Sequence, residues 1–220
     1  MQCIKDTIKN INIVIGCSIG CSYCYARMNN NRFHTIDDFN KPVFFENKLK
    51  MLDNKRHTAY LLTGQSDLSG WNEEWKDKVF SKMKENENTQ YIFLTKRPEN
   101  IKLKETPDNG WFGVTVTSSK EKTRIDYLRN NIKAKHYHIT FEPMFDDVGK
   151  LDLSNISWIV IGTETGNRKG KISSKREWVF NIYNQAKEKN IPVFMKEDLL
   201  GILNEDEFVQ EFPKEFGGIE

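Results

Sequence analysis

Short runs of β-branched and aromatic residues alternate with amphipathic stretches from one end of the chain to the other. INIVIG (11–16) reads as a first strand, and AYLLTG (59–64) as a second, stopped by its glycine. QYIFLT (90–95), WFGVTVT (111–117), KHYHITFEP (135–143) and SWIVIGTETG (157–166) continue the series, with IPVFM (191–195) as a candidate seventh strand. Between them FFENKLKMLDN (44–54) reads as a helix. NEEWKDKVFSKMKEN (72–86) opens on an Asn cap and acids, then sets Trp75, Val79, Phe80 and Met83 at helical spacing. A connector around Pro98 and Pro107 follows the third strand, and a further helix runs through Ile125 and Leu128. A long helix over 173–190 and a short one over EDEFVQEF (205–212) complete the pattern.

There is no internal repeat, low-complexity tract or linker, so the pattern predicts one domain over residues 1–220. Strands alternating with helices imply an α/β fold with a parallel sheet built from crossover units. An open doubly wound sheet would be favoured by a glycine-rich phosphate turn after the first strand, but here that strand runs straight into cysteines. The competing arrangement is a barrel or partial barrel, and in both the active groups sit at the carboxyl ends of the strands. Those ends carry cysteines, TGQSD (63–67), TKR (95–97), TSS (117–119), FEP (141–143) and GTETGN (162–167). They form a single polar rim.

Composition narrows the setting. The 220 residues are 38% hydrophobic and 29% charged, with a mean hydropathy of −0.65. Apolar runs such as WIVIG are too short to span a bilayer, and MQCIKDTIKN lacks the apolar core of a signal peptide. A cytoplasmic location away from membranes is therefore expected, and there clustered thiols hold metal more often than each other. With 33 basic against 31 acidic residues the formal charge is +2, which makes no electrostatic case for a nucleic-acid partner.

GCSIGCSYCYA (16–26) holds three of the four cysteines: Cys17, Cys21 and Cys24. A structural zinc site closes with four protein ligands, and none of His34, His57, His136 and His138 stands at a short zinc-finger spacing from this loop. A cubane iron–sulfur cluster also takes four cysteines, so three leave one iron open to a small chelating molecule. Cys3, fourteen residues upstream of Cys17, is expected to do no more than pack. The paired aspartates of TIDDFNK (35–41) and MFDDVGK (144–150) read as solvated loops and caps.

This CxxxCxxC loop directly after the first strand, with the aromatic Tyr23 before its third cysteine, resembles the radical S-adenosylmethionine superfamily. The resemblance implies a partial (β/α)6 TIM-type barrel and a [4Fe–4S] cluster held by Cys17, Cys21 and Cys24, with S-adenosylmethionine chelated on the fourth iron. It implies reductive cleavage to a 5′-deoxyadenosyl radical, fed by an electron donor such as flavodoxin or ferredoxin. Thr63-Gly64-Gln65 occupies the place of the family's Gly-Gly-Glu motif, so the backbone contact to the methionine amino group carries over while the acid is missing. LTKRP, GVTV, FEP, IGTETG and PVFMKE, in that order, are similar to a compact phage-protein-like branch of the superfamily.

On this reading Lys96 and Arg97 stand where a cation meets the cofactor's carboxylate, and Thr117 and Ser118 where hydroxyls meet its ribose. A helix cap formed by Ser118 and Glu121 is the structural alternative for that pair of hydroxyls. Glu142 and Glu164 end neighbouring strands, where carboxylates must find polar ligands or cations. A structural bridge from Glu164 to Lys196 is the alternative. Asp67, Trp71, Met195 and Lys196 complete the expected substrate wall, with plain core as the other role for Trp71. Acids at the mouth suit an amine or a guanine-like edge. The expected activity is that of a lyase on a small molecule, narrowly the deazaguanine base queuine. A radical enzyme acting on protein or nucleic acid, and a non-enzymatic metal-binding module, are the competing classes.

Overall fold

A computed structural model describes residues 1–54 and 58–217, so His57 lies outside the described residues. After a short helix α1 (Ile4–Thr7), strand β1 (Ile8–Asn10) enters the main sheet, and β2 (Val14–Ile15) forms a small antiparallel pair with β3 (Val43–Phe44). The main sheet continues through β4 (Ala59–Leu61), β5 (Gln90–Thr95), β6 (Gly110–Thr115), β7 (His136–Phe141), β8 (Ile156–Ile161) and β9 (Val193–Met195). Its order is β1-β4-β5-β6-β7-β8-β9, with every neighbouring pair parallel. Each crossover therefore moves one strand onward in the same direction, and the sheet curls into a half-barrel of the TIM type. The candidate seventh strand is real.

Three expected elements differ. Of the stretch 11–16 only Val14–Ile15 is strand, and it serves the small sheet; the first strand of the main sheet lies just upstream, at Ile8–Asn10. Residues Glu46–Asp53 form a 3₁₀ helix, since only Leu52 of that segment is buried and no wide apolar stripe rewards an α-helix. The tail forms only a 3₁₀ turn at Glu205–Glu207. There the free edge of β9 wins: Met195 N–H donates to the Val209 carbonyl, and Glu211 N–H to that of Val193, each at 2.8 Å. The crossovers β5→β6 and β7→β8 contain no α-helix; the former turns at Pro98–Asn100, where proline sits at the start. The remaining helices are α2 (Tyr25–Phe33), α3 (Glu73–Lys84), α4 (Thr123–Asn131) and α5 (Arg176–Glu188).

The two faces of the sheet are sorted by alternation. Phe93, Phe112, Ile139, Phe141, Ile159 and Met195 pack against Val79, Phe80, Leu128, Val179 and Ile182 of the helices. Ile8, Ala59, Ile92, Trp111, Trp158, Val160 and Phe194 face the other way, into the curl, where Phe216 and Phe212 close the amino-terminal end. Trp111 stacks on His136 at 4.2 Å and meets the edge of Phe216 at 4.7 Å. Stepping two residues along each strand from these positions leads to Asn10, Lys96, Thr115, Glu142, Gly162 and Lys196 at the carboxyl mouth. Among the described residues no helix is long and apolar enough to cross a membrane.

One titratable group is sealed inside the curl. His138 is buried, with ring Nε2 donating to the Phe93 carbonyl at 3.1 Å. A Cβ at Gly113 would stand 2.4 Å from that ring, so glycine is what lets the imidazole lie across β6. Burial pushes the His138 pKa down to about 4, against the pull of the Phe93 and Trp111 carbonyls. The folded chain thus binds fewer protons here than the unfolded chain. The stability gained by keeping the ring neutral is whole above 6.5, its ordinary value, and is lost as pH falls through about 4. We expect about 3 kcal/mol from this group across that window. Urea unfolding of wild type and His138→Gln between pH 4 and 7 should show the wild-type slope flattened in the variant. Parallel slopes would mean the ring is not sealed.

Candidate functional site

The cysteine loop is fixed before it reaches its first thiol. Gly16 sits at φ +114°, and a Cβ there would lie 2.9 Å from Pro42 Cα, so only glycine fits. Its N–H donates to the Gln65 carbonyl at 2.9 Å, and Cys17 N–H to that of Phe39 at 2.6 Å. Cys24 caps α2, its Sγ accepting from Arg27 N–H at 3.4 Å. Asn30 is buried on that helix and exchanges two 3.0 Å hydrogen bonds with the backbone of Ile36. Cys17 and Cys24 pack on the small core of Ile15, Ala26, Ile36 and Phe39. The loop is thereby held against residues 63–66, the carboxyl end of β4.

From α2 the Tyr25 hydroxyl donates to the Gly64 carbonyl at 2.6 Å. A Cβ at Gly64 would stand 3.0 Å from Asn12 Oδ1 and 3.2 Å from Asn10 Nδ2, leaving a cradle between the two amides. Asn12 Oδ1 is buried and has no partner among the described residues. The Tyr25 ring is half exposed but its hydroxyl is turned inward, where desolvation, then the charges of Cys24 and Glu142, raise its pKa while Lys196 lowers it; the phenol oxygen thus lies between the thiol loop and the far strands. Tyr23 lies edge-on to Phe145 at 5.5 Å, and Lys96 Nζ hangs 5.9 Å over its ring. Burial, then Cys21, pushes the Tyr23 hydroxyl up.

Across the mouth Lys196 forms an ion pair with Glu142, and its Nζ lies 3.2 Å from Asp198 Oδ2. Burial opposes the ammonium, yet the two carboxylates outweigh it and hold Lys196 above its ordinary range. Burial raises Asp198, offset in part by Lys196. Gly162 makes the grouping possible, since a Cβ there would meet Glu142 Cδ at 3.1 Å and Asp198 Oδ1 at 3.2 Å. Among the described residues Glu142 engages only one of its oxygens. Lys96 Nζ completes the ring, 3.4 Å from the Thr115 hydroxyl.

The structure does not bring every expected residue to this mouth. Asp67 is buried and accepts from Ser69 N–H and hydroxyl, the Thr95 hydroxyl and Lys96 N–H at 2.7–3.0 Å, so it ties β4 to β5. Trp71 donates to the Ser66 hydroxyl at 3.0 Å and packs edge-on to Phe93; Met195 belongs to the same helix-side core. Thr63 accepts from Leu94 N–H at 2.7 Å, and Gln65 offers its carbonyl to Gly16. Arg97 is half exposed and lies 3.7 Å from Glu99. The Glu121 carboxylate takes Thr117 N–H and hydroxyl at 2.8 and 2.7 Å, while Ser118 makes no cap bond; the cap is Thr117–Glu121. Asp146 accepts from Ser119 and Asp147 from Gly149, as loop aspartates do. Cys3 donates to Glu197 Oε1 at 3.0 Å, a polar contact beyond mere packing.

Glu164 is the clearest correction. Its partner is Arg168, not Lys196: the guanidinium grips both carboxylate oxygens, one of them at 2.8 Å, and Ile172 N–H adds a third bond at 3.3 Å. Arg168 holds the Glu164 carboxyl below its ordinary range. Glu164 thus pins the loop 164–172, and Lys196 is left to Glu142. Sequence reasoning missed Asn10, Asn12, Tyr25 and Asp198. The Asn-Ile-Asn alternation over 10–12, at and just past the end of β1, and the Lys-Glu-Asp run after β9 were the available signals.

The thiols suit a soft metal by donor type. Burial, then the charges of Asp67, Cys21 and Cys24, push Cys17 up to about 11 against an Ile19 backbone hydrogen bond, so the three sulfurs share one neighbourhood. Among the described residues no three His, Cys, Asp or Glu side chains are gathered closely enough to hold a metal ion. The fit rests on chemistry: three thiols, which thiophilic iron clusters take, beside an orphaned amide oxygen and a carbonyl, both hydrogen-bond acceptors. Two cavities of about 440 and 490 Å³ lie at the opposite end of the strands, near Tyr137 and near Gln90 and His136. Neither includes a rim residue.

The family described as Protein of unknown function (DUF5131) matches the chain over residues 2–217. No curated protein and no solved structure matches it.

Removing the central cation should expose what it neutralises. Lys196→Met leaves Glu142 and Asp198 facing each other without a counter-charge, which we expect to cost about 3–5 kcal/mol at neutral pH. The deficit should shrink as pH falls through the carboxylate range, because protonation relieves the repulsion. Lys196→Met with Asp198→Asn should recover much of the loss in chemical denaturation. A single variant as stable as wild type at pH 7 would place Lys196 outside the lumen.

Proposed function

We propose, for a chain that belongs to the DUF5131 family and takes no named activity from it, that it is a cytoplasmic radical S-adenosylmethionine enzyme acting on a small molecule within the half-barrel. One observation carries the reading: three thiols on a loop fastened over the carboxyl rim of a parallel half-barrel, beside a cradle for a polar ligand at Gly64. Cys17, Cys21 and Cys24 would hold a [4Fe–4S] cluster. The Gly64 carbonyl and Asn12 Oδ1 would receive the ammonium of S-adenosylmethionine, and Lys96 its carboxylate. Bound there, the two groups would supply reductive cleavage of S-adenosylmethionine and hydrogen-atom abstraction from the substrate, with flavodoxin or ferredoxin as electron source.

The chain's own part is to position and to shield. Glu142, fixed by Lys196, presents its second oxygen to the lumen as an acceptor for a ligand N–H. Thr115 and Lys96 offer hydroxyl and ammonium on the facing side. Ile92, Val160 and Phe194 floor the lumen and exclude water from below. An amine or guanine-like edge matches this acceptor, and within that class a lyase acting on queuine is the narrow proposal.

Anaerobic reconstitution should load about four irons and four sulfides per chain, as for a cubane cluster. Cys17→Ala, Cys21→Ala and Cys24→Ala should each lose the load, while Cys3→Ala keeps it. The reduced, loaded protein should release 5′-deoxyadenosine and methionine from S-adenosylmethionine, faster with substrate present. Stoichiometric zinc without iron uptake, or a reducible cluster that leaves S-adenosylmethionine intact, would remove this reading.

A further inference from the structure

Helix α2 buries one side and leaves the other bare. Ala26 and Asn30 face the small core, while Tyr25, Met28 and Phe33 are 51%, 55% and 65% exposed. At a helical advance of about 100° per residue, these three and the exposed Asn29 and Arg32 share one continuous outward face. Solvent rarely keeps two aromatics and a methionine together on nine residues. Aromatic residues, methionine and arginine are what the centres of protein interfaces are enriched in. Arg32 lies 5.1 Å over the Phe33 ring, so the cation and the apolar surface form one patch. Next to it are the thiols, since Cys24 is the cap of this helix.

The charge of the segment selects the occupant. From Gly16 to Ile36 there is no acidic residue, while Arg27 and Arg32 are present. Arg27 is turned inward to the Cys17 carbonyl at 2.8 Å and to Asn40, which leaves Arg32 as the cation of the outward face. A second copy of the chain would bring two such acid-free faces together about a two-fold axis, with no carboxylate of this segment on either side to meet Arg32. A nucleic acid needs several phosphate contacts, and a single outward arginine among apolar side chains does not supply them. A protein with an acidic rim around an apolar centre satisfies both features. We propose that the outward face of α2 docks an acidic one-electron carrier protein, with Met28, Arg32 and Phe33 as its anchors. The carrier's role rests on the radical-enzyme reading above; the docking face does not.

The test uses the full chain and a purified acidic flavodoxin and ferredoxin, with binding measured by calorimetry across a salt series. Wild type should bind at least one of them, more weakly as salt rises. Met28→Glu and Phe33→Ser should each weaken binding about tenfold or more, and Arg32→Glu should also flatten the salt dependence. Unfolding temperatures should stay unchanged, because these side chains stand in solvent. Binding that survives all three substitutions overturns the proposal, as does failure of both carriers to bind. A concentration-dependent dimer abolished by Phe33→Ser, or oligonucleotide binding abolished by Arg32→Glu, would reassign the face. Because docking is read without a loaded cluster, carrier binding by protein that takes up no iron would sink the enzymatic reading alone. Cleavage of S-adenosylmethionine driven by dithionite, with no docking on α2, would sink this inference alone.

Discussion

Each inner strand of the sheet is clamped between two parallel neighbours, so its side chains have only two directions open to them. One direction meets helices and the other meets the inside of the curl. Every residue of the mouth inherits its place from that constraint. Ile92 points inward, so Lys96 does too; Phe194 points inward, so Lys196 does. The same rule sends Met195 to the helix side, whatever its neighbours at the strand end do. Glycines then adjust the inside. Gly113 makes way for an imidazole, and Gly162 lets two carboxylates approach one ammonium. A parallel sheet thus delivers polar groups to one end and leaves their pairing to a few missing methyl groups.

The thiol loop obeys a different economy, that of backbone hydrogen bonds. A loop of small residues has little apolar surface to bury, so it must be held by its ends. Gly16 fastens the entry by bonding to Gln65 while its own φ excludes other residues. Asn30 and Ile36 fasten the exit by a paired amide contact, and Tyr25 reaches back to Gly64. The Gly16 and Tyr25 contacts both fall just past the carboxyl end of β4. The thiol loop and the space beside Gly64 are consequently positioned together, through residues 64 and 65.

Much of this was legible in the pattern of letters, and the failures have physical causes. Strands over 90–95, 111–117, 135–143 and 157–166 announced themselves by β-branched and aromatic runs, because a strand buried on both faces needs apolar residues throughout. Lys96, Glu142 and Lys196 followed from strand ends alone. What stayed hidden was tertiary choice. Glu164 and Lys196 end adjacent strands, which made their pairing plausible, but Arg168 lies one helical turn further along a loop that folds back. Asp67 reads as a rim acid, yet four donors from the next strand and turn converge on it. The tail lost its expected helix to the unpaired edge of β9, a partner that no local pattern reveals.

The charge balance of the lumen limits what can enter it. Lys96 and Lys196 carry two positive charges inward, and Glu142 and Asp198 two negative ones, so the mouth is neutral as built. A ligand charge that none of these groups meets directly would be left in excess inside the mouth, which costs several kcal/mol per ion. A ligand N–H, by contrast, can share Glu142 with Lys196 without displacing it, since the carboxylate has two oxygens and the ion pair uses one. Lys196 is not available as a base, because two carboxylates favour its protonated form. Its contribution is to hold Glu142 in place, so that the acceptor is already oriented when a donor arrives. That preorganisation lowers the cost of binding more effectively than an added contact would, because the side chains that meet the ligand are already immobilised.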